Sequence, residues 1–142
     1  MGPDGTLPAN SVKAAELGDR SVYLIPAAEA VCLALVEQRL GAAVGCLPLQ
    51  AVNDGSAAPS YVMTGCTGPP PEEGAPVCTG LVLYGVVPDG VDNVTIEDAS
   101  SRSPEVPVSD NVFIYEGSMA QAVTSVRYVT DSGHNVRLPV AL

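Results

Sequence analysis

Residues 81–87 (LVLYGVV) run straight into Pro88-Asp89-Gly90 and then into residues 91–98 (VDNVTIED). An apolar run rich in β-branched and aromatic residues, stopped by a Pro-Asp-Gly turn and resumed in alternation, reads as strand, reversal and strand. Such a unit has backbone groups that only neighbouring strands can satisfy. It therefore commits the chain to packed β structure, and it describes a scaffold rather than a reaction.

The chain has 142 residues, enough for one domain that buries most of its apolar surface without a metal staple. Its 14 Gly and 13 Pro favour short strands between frequent turns, because Pro cannot donate into a central ladder. With one Phe and no Trp the core must be aliphatic, helped by a few tyrosines. Asp and Glu number 16 against 6 Lys and Arg, a net charge of -10, and the bases are scattered singly. Nucleic acid and anionic membrane surfaces are thereby excluded as partners, and the acids are expected to keep an extracytoplasmic domain in solution. The longest apolar region, residues 22–36, contains Pro26 and Glu29 and is shorter than the roughly 20 residues that span a bilayer, so no membrane insertion is expected. Met1-Gly2-Pro3-Asp4 has neither the basic start nor the apolar centre of an export signal, so no signal peptide is expected within these residues.

Four cysteines stand at 32, 46, 66 and 78, none of them in a C-x-x-C, and the chain has a single histidine. Zinc takes its ligands from close pairs, so two disulfides account for these residues better than a metal does. Of the three pairings the sequential one, Cys32–Cys46 and Cys66–Cys78, is preferred, since each closes a loop whose contents look like a turn. In the chain-entropy model each bridge contributes about 3 kcal/mol. The alternative is four buried thiols in a reducing compartment.

Along the chain, residues 1–10 read as an extended lead-in and residues 11–17 as a short N-terminal helix, capped by Asn10 or Ser11 and ended by Gly18. Residues 21–25 read as a strand. Residues 27–40 (AAEAVCLALVEQRL) carry helix signals, with Pro26 before them and Gly41 after, yet residues 31–36 are apolar on every side, as in a buried strand. Residues 41–80 look poor in regular structure: short strands at 44–49 and 61–63, a turn at Asn53-Asp54-Gly55, and a Pro-rich loop at 67–74. The last third repeats itself. At an offset of 32, Val91 falls on Val123, Val94 on Val126 and Val106-Pro107-Val108 on Leu138-Pro139-Val140, which implies two hairpins of one design. Two copies are too few for a solenoid, so they are expected side by side in one sheet or sandwich. Residues 111–115 add a further strand.

Catalytic machinery is sparse. A Ser-His-Asp hydrolase would have to use His134 with Asp131 and Ser132, neighbours on a turn that are expected to point apart. No G-x-S-x-G elbow and no phosphate-cradling glycine loop occurs, and no cofactor is expected. Acids gather at Asp89, Asp92, Glu97 and Asp98. Asp89 and Asp92 form a weak calcium candidate, because calcium takes about six to eight oxygens and Pro-Asp-Gly is ordinary turn composition. Asn93-Val94-Thr95 matches a glycosylation sequon at the start of a strand.

The strings YLIPAAEAVCLAL, GC at 45–46, YGVVPDGVDNVTI, PVSDNVFIYEG and VTSVRYVTDSGHNVRLPV, spanning residues 21–142, resemble a group of uncharacterised secreted or membrane-anchored bacterial proteins from high-GC genomes. That group shows a YLVP…GVCL strand pair, a second Cys shortly after, then GxVPDGVxxV and PVxDNV. The resemblance implies export, a Cys32–Cys46 bridge and a strand at 31–36. Cys66, Cys78 and the Pro-rich loop depart from the pattern, and the group supplies no catalytic residues to carry over.

The expectation is a mainly β chain: an antiparallel β-sandwich or barrel-like domain of short strands and hairpins after a short N-terminal helix, or α+β if residues 27–40 are helical. Residues 1–20 form the lead-in and helix, and residues 21–142 one β domain, bridged over 21–80 and built of repeated hairpins over 81–142. Its expected role is a non-enzymatic extracytoplasmic interaction or structural module for a protein or cell-envelope partner. The competing class is a hydrolase using the clustered carboxylates in a cleft between the hairpins. Thiol titration in denaturant without reductant is expected to find no reactive thiol, and four reactive thiols would remove both bridges.

Overall fold

The computed structural model describes residues 7–38, 41–67, 77–100 and 102–140. Among these residues, eleven strands form three antiparallel sheets. The first is a meander of β1 (Val12–Leu17), β2 (Arg20–Pro26), β3 (Ala30–Glu37) and β4 (Gly41–Pro48), each paired with the next. The second orders β5 (Ser60–Thr67), β6 (Val77–Val86) and β9 (Val112–Ser118). The third orders β11 (Asn135–Pro139), β10 (Val123–Val129), β7 (Asn93–Asp98) and β8 (Glu105–Pro107). A six-residue helix, α1 (Leu49–Asp54), links the first sheet to the second, and a 3-10 turn (Met119–Gln121) precedes β10.

The second sheet is the middle layer. On β6, Val82, Tyr84 and Val86 pack with Val22, Leu33 and Leu35 of the first sheet, while Leu81 and Leu83 pack with Val94, Ile96 and Val126 of the third. β6 starts exposed at Val77, but Leu81, Val82 and Leu83 are fully buried and every residue from Leu81 to Val86 is buried, so this part of the strand has no solvent face. That explains its unbroken apolar run, since only a strand buried on both sides gains from one. At about 25 cal/mol per Å² of apolar surface, this strand contributes to two cores at once. Gly85 makes room for the single phenylalanine: a Cβ there would stand 2.8 Å from Phe113 Cε1, on the residue directly opposite in β9. Arg20 also joins two layers. It lies opposite Glu37 and 3.5 Å from it, and its Nη1 donates to Glu116 Oε2 of β9 at 3.0 Å.

The two repeated hairpins agree to the residue. Asn93, Val94 and Thr95 pair with Pro107, Val106 and Glu105, and Ser125, Val126 and Arg127 pair with Pro139, Leu138 and Arg137, the same register at an offset of 32. Their closing hydrogen bonds correspond too, Val108 N–H to Asp92 C=O at 2.8 Å and Val140 N–H to Thr124 C=O at 2.9 Å. The hairpins meet along β7 and β10, where Thr95 pairs with its own counterpart Arg127. An internal pseudo-twofold axis therefore passes through that pair.

Two expectations are corrected. The segment expected as an N-terminal helix is β1, whose Gly18 sits at φ 62° in a two-residue turn that sets Leu17 opposite Arg20. Ending a helix and turning a hairpin both call for positive φ, so the glycine marked a reversal without saying which. Residues 41–80 hold more regular structure than expected: β4 and β5 have eight residues each, and residues 49–54, assigned to a strand end and a turn, form α1 with Gly55 as its left-handed cap at φ 79°. Residues 30–37 are a strand, which sets aside the α+β alternative. The Pro-rich loop expected at 67–74 lies, apart from Thr67 at the end of β5, outside the described residues.

Gly85→Val is expected to lower stability by about 1–3 kcal/mol in urea unfolding. Adding Phe113→Leu should recover part of that loss. Equal midpoints for the parent and the single variant would show that the ring yields freely.

Candidate functional site

Each clustered carboxylate is tied to a partner within the chain or faces solvent. Asp110 and Asn111, both at positive φ (48° and 68°), make the tight turn between β8 and β9, with Ser109 and Val112 exchanging backbone hydrogen bonds at 2.9 Å. Asn111 then reaches back to the Pro-Asp-Gly turn. Its C=O accepts from Val87 N–H at 2.8 Å, and its Nδ2 donates to Val87 C=O at 3.2 Å and to Asp89 Oδ1 at 2.8 Å. The V-P-D-G-V and D-N-V strings thus meet as one structural clasp. Asp92 is exposed and uses its C=O to close the β7–β8 hairpin. Among the described residues no group of three or more His, Cys, Asp or Glu side chains is placed to hold a metal ion.

Glu97 and Asp98 are engaged more fully. Arg127 and Arg137 face each other across β10 and β11, an unfavourable pairing of like charges. Glu97 reaches over from β7 to relieve it, accepting from Arg137 Nε at 2.8 Å and Nη2 at 3.1 Å, with Arg127 Nε 3.6 Å away and Ser125 Oγ donating at 2.7 Å. The Ser125 hydrogen bond foremost, then Arg137 and Arg127, hold the Glu97 carboxyl below its usual range against the opposing effect of desolvation. Asp98 closes its own turn by accepting from the Ser100 hydroxyl at 2.6 Å, Ser100 N–H at 2.9 Å and Arg102 N–H at 3.2 Å. These donors, the Ser100 hydroxyl first, lower its pKa as well. Asp54 repeats the device with the Ser56 hydroxyl and N–H, and its pKa is lowered likewise. In both places Asp-x-Ser is the readable signal for a side-chain-closed turn.

The structure gathers one further set of side chains. The turns after β6 and β10 and the end of α1 border an open concavity of about 490 Å³ lined by Asp54, Asp89, Asp131, Ser132 and His134. Contrary to the expectation that the turn would point its side chains apart, Ser132 Oγ lies 3.0 Å from His134 Nδ1. Gly133, at φ 89°, folds the turn so that residues two apart meet. Asp131 is not part of a relay: it packs against Gly90, where a Cβ would come within 2.7 Å of Asp131 Cβ. His134 is exposed, and among the described residues its ring meets the Ser132 hydroxyl and no carboxylate.

The feature that sequence reasoning missed is β4. Every residue from Gly41 to Cys46 is exposed, the strand ends the first sheet, and GAAVGCLP contains no charge. Cys46 ties it to Cys32, directly opposite on β3, with the Cα atoms 3.9 Å apart. Cys66 on β5 is joined in the same manner to Cys78 on β6. Two such bridges fit an oxidising, extracytoplasmic environment. Among the described residues no helix is long and apolar enough to cross a membrane.

The lowered carboxyls set the acid response. Their ordinary values are 4.5 for Glu97 and 3.8 for Asp54 and Asp98. Each lies lower in the folded chain, so its stabilising contribution is complete above the ordinary value and is lost as pH falls through the folded one. Glu97→Gln should therefore flatten the fall of Tm with acid below about pH 4.5. A variant with the parent's acid limb would contradict the Glu97 assignment.

No family model, curated protein or solved structure matches this chain.

Proposed function

We propose that the chain is a non-enzymatic extracytoplasmic domain that acts as an interaction module in the cell envelope. The observation that carries this reading is the uncharged edge of β4, exposed from Gly41 to Cys46, on a chain of net charge -10. Soluble β proteins ordinarily blunt such edges with charge, proline or a bulge, because an unpaired edge is a template for another strand. The two cross-strand disulfides support the compartment.

The hydrolase reading finds less support. A general acid needs a carboxyl whose pKa is raised toward the working pH, whereas Glu97 and Asp98, where the hairpins meet, are shifted the other way by donors that favour the charged form. A panel of ester and glycoside substrates is expected to show no turnover above background. Turnover that disappears in Glu97→Gln or Asp98→Asn would overturn the interaction reading in favour of the enzyme.

A further inference from the structure

We infer that the free edge of β4 pairs antiparallel with β4 of a second copy of this chain, with the two-fold axis at Val44. This deepens the interaction reading and rests on it. Six strands end the three sheets, and four of them carry a deterrent to pairing. β1 has Lys13, Glu16 and an irregular register between Lys13 and Ala15; β8 has Glu105 and Pro107; β9 has Glu116; β11 has Arg137 and Pro139. Only β4 and β5 are uncharged, and β5 is interrupted by Gly65 at φ 61°, outside the extended region. β4 is left as the continuous, uncharged edge, and its one proline, Pro48, stands at the strand's last position, beyond residues 42–46.

The phase of the β3–β4 ladder shows which groups β4 offers. The 3.9 Å approach of Cys32 and Cys46 marks the narrow kind of antiparallel pair, whose members do not bond each other through the backbone. Leu49 N–H donates to Glu29 C=O at 3.0 Å, which assigns the odd-numbered residues to the bonded pairs. Ala42, Val44 and Cys46 therefore direct both N–H and C=O outward, and Pro48, on the same phase, lacks only an N–H that would have faced out. Outside the β3 pairing, no hydrogen bond to those three residues is recorded among the described residues. An axis at Val44 sets Val44 against itself and Ala42 against Cys46, so outward groups meet outward groups in every bonded pair. Ala43 and Gly45 fall opposite each other with little side chain to obstruct the approach.

Although whole copies repel at net charge -10, the local neutrality of β4 is what pairing with a second copy requires. A strand that meets another chain can carry charges complementary to it. A strand that pairs with itself places any charge opposite or diagonal to its own like charge, so it is best neutral. β4 is neutral on a strongly acidic chain.

Sedimentation over a concentration series is expected to show a monomer–dimer equilibrium that strengthens with added salt, because screening relieves repulsion between copies of net charge -10. Amide exchange at Ala42, Val44 and Cys46 should slow about tenfold or more as dimer forms, while Ala43 and Gly45, already bonded to β3, stay unchanged. Val44→Pro and Val44→Glu should both be monomeric with intact folds, since β3 does not use the Val44 N–H. A parent that stays monomeric at every concentration and salt level, or a dimer whose three outward amides exchange freely, overturns the self-pairing. Substrate turnover, by contrast, would overturn the interaction reading itself.

Discussion

Residues 81–86 of β6 have no solvent side, and the three-layer arrangement depends on that fact. A strand whose alternate residues enter two different cores must be covered on both faces. The first sheet supplies Val22, Leu33 and Leu35 on one side, and the repeated hairpins supply Val94, Ile96 and Val126 on the other. Because the chain is poor in aromatic residues, both cores are filled with valine and leucine, and the one phenylalanine is seated over a glycine rather than another side chain. Residues 81–98 connect the layers: the strand fills the middle, and the Pro-Asp-Gly turn passes the chain into the third sheet.

Much of this was legible in the residues, for reasons that differ by region. The hairpin repeat could be read because a copied register preserves spacing, and side-chain alternation makes every slip visible. Residues 27–40 left helix and strand open, because a short apolar run has no readable period, and the family resemblance tipped the reading toward the strand that β3 is. β1 was missed because Asn10, Ser11 and Gly18 serve a helix and a hairpin equally well; in the fold Asn10 Nδ2 donates to Pro26 C=O at 3.1 Å, across to the end of β2. α1 is too short for its period to appear. The β4 surface was hidden for a related reason: its apolar composition resembles that of a core strand, and only its position at the end of a sheet turns the same residues outward.

The acidic balance looked at first like a general device for staying in solution. In the structure many acids have local duties. Glu97 separates two arginines that the strand register forces together, Asp98 and Asp54 close turns, Asp89 is clasped by Asn111, and Glu37 and Glu116 receive Arg20 between two layers. At Glu97, Asp98 and Asp54 these hydrogen bonds favour the charged form. A carboxyl that serves as a general acid asks for the opposite shift.

The internal two-fold of the third sheet has a consequence for how far such a sheet can extend. Pro107 and Pro139 occupy equivalent places on its two outer strands. The neighbouring Val108 and Val140 bond inward, so each proline falls where an N–H would otherwise face the open edge. When the hairpin is doubled its terminator is doubled with it, and the sheet is sealed at four strands from both ends. A repeat unit of this kind carries its own limit on growth, adding a copy of itself once while leaving no template on which a third could assemble.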